Sequence, residues 1–578
     1  MKPGHRWLCL SPLIGVWLAV NLAAKPAEVS QADPPYELPK YAVTGTPDLP
    51  PPEAWRYGKF PGFTVLSNAS DRKTQRLLAN FEWFRYAVGI VWPMPDKTPV
   101  PVSIIVCGAR NTFDGFVPEA KRGDPNQPLS FLLHDREHGA IVIDAQTTVF
   151  LSRGPAEGFN GESAGGGKNG YEVESANLLC REYVRFLFSR QGQNLPVWME
   201  EGLIQIFLAM KITRGQIALG KVEDPNLASS RSIPGQPLLE GLSESPHEDG
   251  DFNSALGSLM RLEDFFAVTR DSPRSSQIYG NNRWAKQAYA FVHMCVFGRG
   301  GRFRQPFVLF LQRASRAPVT EEMFKECFGL DYREMQTEMR LYIDFTDHQS
   351  VEYNFKKGKG LPEPTPIVLR DAEESESAHI KGEALLLGGH YKEAQAVLLP
   401  AYLRGSRDPQ LLATLGLSEH IGGHDDRARK FLEAAVARKV VRPEAYLELA
   451  RLRYVASVAK PGTGDALSEE QVASITSLLY TGRHQPPHLP ELYELLAETW
   501  QRSATKPGRN DVLILIQGAT LFPDRLGYVC QVAAFALEAG IIDAARPMIE
   551  HGLSHAADPQ LKARFEQLEA SLPSAPGR

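Results

Sequence analysis

The sequence predicts an α+β chain: a mixed N-terminal sheet with a helical body, followed by an all-α superhelix of repeated helix pairs. Three observations carry this. Short apolar runs alternate with an amphipathic helix over residues 60–145. Helical spacing dominates from Glu174 onward. Small residues then recur at a fixed interval in the C-terminal third.

Taken in order, Phe63-Thr64-Val65-Leu66 reads as a strand. Leu77, Leu78, Phe81, Phe84, Ala87 and Val88 place a helix over 76–91, and Val100 to Val106 runs apolar as a second strand. Phe131-Leu132-Leu133 and Ala140-Ile141-Val142-Ile143 form a hairpin across His134–Gly139. Residues 152–170 are a Gly-rich loop. Gly165-Gly166-Gly167-Lys168 lacks the spaced Gly and the Ser or Thr of a phosphate loop, because Glu162 and Asn169 stand there. Helices are predicted at 174–190, at 196–212 with Pro196 at the entry, and at 255–270, 283–297, 304–314, 319–327 and 331–345. A polar stretch covers 222–252, and the charged, Pro-containing segment 347–372 reads as a linker to repeats over 373–570.

In the repeats, Gly382, Gly389, Ala394 and Pro409 return as Gly416, Gly423, Ala428 and Pro443, each 34 positions on. A looser copy carries Gly540, Ala545 and Pro559, and 444–456, 468–480, 489–502 and 509–520 are further amphipathic helices. A 34-residue period of paired helices with small residues at the crossings resembles the tetratricopeptide repeat. Such pairs bury their faces only by stacking, which implies a curved array offering a surface to a protein or peptide partner.

Composition narrows the function classes. The 578 residues are 43% hydrophobic and 23% charged, ordinary for a folded chain. With 63 Lys+Arg against 68 Asp+Glu the net charge is −5, so no global field recruits nucleic acid. The six cysteines are scattered with no C-x-x-C pair, which argues against a zinc module or a dense disulfide framework. Cys107, Cys180 and Cys295 sit in apolar runs and read as small hydrophobes.

Lys2, His5 and Arg6 precede an apolar stretch from Trp7 to Ala24, which reads as a secretory signal over 1–24. An uncleaved anchor is the alternative, with Pro12 and Asn21 against it. No other apolar run is long enough to span a membrane. The expectation is an exported protein, with a Pro-rich spacer over 25–55 (Pro34-Pro35, Pro50-Pro51-Pro52).

The segment that bears on chemistry is Cys180-Arg181-Glu182-Tyr183-Val184-Arg185, followed by Trp198-Met199-Glu200-Glu201-Gly202-Leu203. It resembles the peptidase MA-like gluzincin family, whose members read H-E-Y-x-H in one helix and W-x-x-E-G-L in the next. Ala288–Phe297 with Gly301-Arg302-Phe303, and Phe324 to Leu330 with Tyr342, resemble the family's closing helices. The resemblance implies a peptidase-like domain over 56–346, with Glu182 at the place of the general base and Glu201 at that of the third metal ligand. It also implies two imidazole ligands at 181 and 185, and both are replaced by arginine. A guanidinium has no lone pair for a metal. No intact H-E-x-x-H stands elsewhere.

The reading is therefore a degenerate, non-catalytic pseudo-metallopeptidase without cofactor, in which Arg181, Glu201 and Arg185 form an Arg–Glu–Arg cross-link in place of a metal. A plain solvated Glu182–Arg185 pair on the helix face is the simpler reading. The alternative function is an active zinc peptidase using Glu182 with unorthodox ligands. His134, His138, His293, His420 and His424 are the candidates for that part, and they read as solvated or ordinary hydrogen-bonded histidines. A third reading is a purely structural envelope protein whose partners engage the repeats alone.

Overall fold

The computed structural model describes residues 38–39, 49, 51–91, 100–122, 129–146, 149–152, 170–173, 175–190, 195–220, 259–270, 272, 275, 283–344, 350–356, 360–459 and 466–572. All of these fall in one compact unit, Leu38–Arg578. The expected signal over 1–24, most of the spacer over 25–55, the body of the Gly-rich loop and the polar stretch 222–252 lie outside the described residues.

The sheet begins with a hairpin, β1 (Arg56–Phe60) and β2 (Phe63–Ser67), turned at Gly62 with φ 85°. Helix α1 (Asp71–Val91) carries the chain over to β3 (Val102–Cys107), parallel to β2. A short helix, α2 (Arg110–Asp114), follows. Then comes the antiparallel pair β4 (Ser130–His134) and β5 (Gly139–Asp144), with β5 parallel to β3.

The central strands β2, β3 and β5 are buried on both faces, which is why they read as continuous apolar runs rather than as alternations. Successive residues serve different cores. Val65, Ile104, Val106, Ile141 and Ile143 pack with α1 and the helical body. Leu66, Ile105, Cys107 and Val142 face the other way and join the core of the repeat helices.

The helical body comprises α3 (Ser175–Ser189), α4 (Val197–Leu208), α5 (Leu262–Phe266), α6 (Arg283–Phe297), α7 (Arg304–Ala314), α8 (Glu321–Phe328) and α9 (Tyr332–Asp344). Two of these are shorter than expected. Pro196 is the N-cap of α4 rather than its first residue, and the chain after Leu208 turns into strands. Of the expected helix over 255–270, only 259–270 are described, and within them α5 is the helical part. Pairing that the sequence did not signal includes β6 (Val149–Ser152) with β7 (Gly170–Val173), and β8 (Lys211–Ile212) with β9 (Gln216–Leu219).

The segment 347–372 is not a bare connector. Its residues Val351–Asn354 form β10, paired with β9, and Arg370–Asp371 form β11, which extends the main sheet beside β1. The sheet order is β11-β1-β2-β3-β5-β4. Pairings of four and two residues are too short to leave a periodicity, so composition alone suggests a linker.

The C-terminal part is a stack of helix pairs: α10 (Glu374–Leu387), α11 (Tyr391–Leu403), α12 (Pro409–Ile421), α13 (Asp425–Ala437), α14 (Pro443–Val458), α15 (Glu469–Gly482), α16 (Pro490–Gln501), α17 (Arg509–Leu521), α18 (Leu526–Glu538), α19 (Ile542–His555) and α20 (Pro559–Ala570). The 34-residue period has a steric cause. A Cβ on Gly382 would lie 2.6 Å from Leu398 Cδ2, and one on Gly416 would lie 2.7 Å from Leu432 Cγ. Gly389, Gly423 and Gly540 all adopt positive φ where a first helix turns into its second. The first helices of successive pairs, α10, α12, α14, α16, α18 and α20, pack neighbour to neighbour into one layer. No helix among the described residues is long and apolar enough to cross a membrane. Cys107, Cys180, Cys295, Cys327 and Cys530 are buried free thiols.

Candidate functional site

Helices α3 and α4 pack against each other. Trp198 is 1% exposed in an aromatic cluster, stacked on Phe310 at 5.7 Å between centroids and edge-on to Phe291 at 5.5 Å. Gly202 lies against α6, where a Cβ would sit 2.5 Å from Val292 Cγ2 and 2.7 Å from the Ala288 carbonyl oxygen. Both residues set the pose of α4, and that pose aims Glu201 at α3.

Arg181 donates to Glu201 through both terminal nitrogens, Nη1 to Oε1 at 3.2 Å and Nη2 to Oε2 at 2.5 Å. The two side chains are only 5% and 4% exposed. Gln205 Nε2 donates to the same Oε1 at 3.0 Å and to the Ala285 carbonyl at 2.9 Å. Burial pushes the Glu201 carboxyl up, but the Arg181 charge and its hydrogen bonds outweigh that, and Arg185 adds to them, so the group lies below the usual carboxylate range.

Arg185 takes a different course from the one expected. Its Nη1 lies 3.4 Å from both oxygens of Glu182, and its Nε lies 3.6 Å from Glu200 Oε1. Burial lowers the guanidinium's proton affinity, yet Glu182, Glu201 and Glu200 together raise it above its ordinary value. Glu182 also accepts from Ser130 Oγ at 2.9 Å. Glu200 accepts a fork from Arg270 at 3.1 and 2.6 Å. Arg181 thus holds Glu201 directly, while Arg185 bonds Glu182, pairs with Glu200 and acts on Glu201 through its charge. The Glu182–Arg185 pair is not a solvated face, since Glu182 is 1% exposed.

Sequence reasoning missed Ser130, Glu200, Gln205 and Arg270. Glu200 adjoins the motif, and a second buried carboxylate beside Glu201 could have been suspected. Arg270 arrives from 70 residues away with no local signal.

A divalent cation does not fit this donor set. Guanidiniums occupy the helix positions that would supply lone pairs, and Arg181 and Gln205 already engage Glu201. The histidines lie elsewhere. His293 bonds Tyr342 OH and the Gly220 carbonyl, each at 2.7 Å. His420 Nδ1 lies 2.8 Å from Asp425, and His424 Nδ1 lies 3.1 Å from Glu419. His134 ends β4.

His138 belongs to a second charged site, at the four-residue turn Asp135–His138 between β4 and β5. Asp135 closes the turn: its N–H donates to the His138 carbonyl at 3.0 Å, and its Oδ1 accepts from the N–H groups of Glu137 and His138 at 2.7 and 2.8 Å. The two central residues, Arg136 and Glu137, enter the layer of first helices. Glu137 Oε2 accepts from Arg442 Nε at 3.1 Å, and its Oε1 accepts from the Glu444 N–H at 2.7 Å. Helix α14 begins with Pro443, and its N-cap Arg442 makes no side-chain cap, so Glu137 caps this N-terminus from the sheet. Arg442 is also held by Glu383 at 2.7 Å and Thr414 at 2.8 Å. Arg136 reaches Glu491 at 2.8 Å, Glu444 at 3.3 Å and Glu448 at 3.5 Å. Elsewhere in the repeats a cavity of about 990 Å³ is lined by Glu494, Glu498, Arg502, Tyr528 and Gln531.

No family model matches the chain, and no curated protein does. Solved structures similar to part of it include Pseudomonas aeruginosa pilF, at 10% identity over 34% of this chain and 85% of that one, with a TM-score of 0.25. The thermophilic TPR protein TTC0263 of Thermus thermophilus is 18% identical over 34% of this chain and 99% of its own, at TM-score 0.23. The MamA RS-1 ArsTM double mutant is 15% identical over 35% and 99%, also at 0.23.

Proposed function

We propose that the chain is an exported, non-catalytic scaffold, a pseudo-metallopeptidase body joined to tetratricopeptide-like helix pairs that bind a protein or peptide partner. The observation that carries the non-catalytic part is the Arg181–Glu201 fork. It puts a fixed cation at the place where the gluzincin resemblance calls for a metal, and it engages the carboxylate that would be the third ligand. Glu182, the remaining motif residue, is buried and held by Ser130 and Arg185. The partner-binding part is supported by the stacked helix pairs, whose layer of first helices carries a dense set of directional polar groups.

The test is metal content followed by hydrolysis. Purified protein should hold no stoichiometric zinc, and unfolded casein should remain intact with and without chelator. Chelator-sensitive cleavage that Glu182→Gln abolishes would overturn the reading in favour of a zinc peptidase.

A further inference from the structure

The turn Asp135–His138 meets the repeat helices as a ligand meets a binding site. The two side chains at its tip enter the helix layer, and they carry opposite charges. Each finds its complement. The Arg136 guanidinium stands among carboxylates from two successive first helices, Glu444 and Glu448 of α14 and Glu491 of α16. The Glu137 carboxylate sits on the N-terminus of α14 and on Arg442, which Glu383 of α10 and Thr414 of α12 hold in place. Four consecutive first helices therefore contribute to reading two adjacent residues. Glu137 and Arg442 are buried while Arg136 is a third exposed, so desolvation and solvent screening leave these ionic contacts little net stability.

We propose that the layer of first helices holds a recognition site for a protein segment presenting an arginine and a glutamate side by side on a tight turn, and that Arg136-Glu137 fills this site in the resting chain. The proposal rests on the scaffold reading and names the chemistry of its partner. A partner of this kind binds by displacing the β4–β5 tip, so the sheet and the repeats report on each other's occupancy.

The probe is a fluorescent, backbone-cyclised peptide of residues 130–143. The full chain carrying Arg136→Gly and Glu137→Gly should bind it about tenfold or more tightly than the wild type, whose own tip competes at high effective concentration. Adding Arg442→Met should abolish that binding, and a peptide with both tip residues changed to Gly should not bind. A folded tip variant that ignores the peptide, or a wild type that binds it equally well, overturns the proposal. If the tip variant loses the wild-type circular dichroism, Glu491→Gln serves instead. It removes one of three carboxylates from Arg136, and amide exchange at 135–138 should then quicken about tenfold as the tip is released more often; unchanged exchange counts against the proposal. Peptide binding is read without any hydrolytic assay. Its failure leaves the scaffold reading intact, and chelator-sensitive proteolysis would remove that reading while leaving this site untouched.

Discussion

Arg181 and Glu201 stand 20 positions apart on two helices and meet with side chains almost fully withdrawn from water. At that depth the pair is best understood through what each partner would be without the other. A lone buried carboxylate bears its desolvation cost uncompensated, whereas an apolar pair of similar volume bears none. Arg181→Met should therefore destabilise the chain by about 3–5 kcal/mol, and adding Glu201→Met should restore most of the loss. Urea midpoints of the wild type, the single and the double variant measure this. A single variant as stable as the wild type would show that the fork is incidental. Arg181, Glu182, Arg185 and Glu201 were all visible as candidates in the sequence because helix spacing is local information. Their pairing was not, since which carboxylates Arg185 reaches depends on the angle between helices.

Among the elements, the β4–β5 turn connects most directly to solution behaviour. Burial pulls the His138 imidazole's pKa down, while Glu383 and Asp135 pull it further up, to about 9, against a repulsive contribution from Arg442. A pKa raised above the ordinary 6.5 means that the protonated form favours the docked turn. This stabilisation is complete below about pH 6.5 and is lost as the pH climbs toward 9. Thermal unfolding midpoints of the wild type should fall over that window more steeply than those of His138→Gln. Parallel curves would mean that the imidazole does not titrate in the docked state. The hairpin itself was legible as two apolar runs around a polar turn. Nothing in the turn announced that Arg136 and Glu137 insert into helices some 300 residues later, because charged turn residues are ordinarily solvated. Gly382 and Gly416, by contrast, were legible: their repetition at 34 residues marks the close helix crossings with Leu398 and Leu432.

At the scale of the whole molecule, the sheet and the repeats share one core. Leu66, Ile105 and Val142 on one face of the sheet belong to the same apolar cluster as Ile380, Ala384, Leu411 and Phe431 of the repeat helices. Strand β11, just before α10, completes the sheet beside β1. A fragment ending at residue 372 exposes that face to water and should not unfold cooperatively, while the full chain should show one transition over this unit. Calorimetry of both distinguishes the cases. A fragment with the full chain's melting temperature would mean that the repeats merely rest against the sheet.

The amino-acid sequence by itself determined the inventory of this protein: the α+β order of elements, the 34-residue helix pairs, and the arginines standing at the positions the motif resemblance assigns to metal ligands. Periodicity and side-chain chemistry are local properties, and they survive in one dimension. The tertiary structure decided what those elements are for one another. It brought Glu200 to Arg185, turned part of the expected linker into sheet strands, covered one face of the sheet with the repeats, and seated the two tip residues of a turn among four helices. Those outcomes depend on long-range packing and on which buried charges find complements, and neither leaves a periodic trace along the chain.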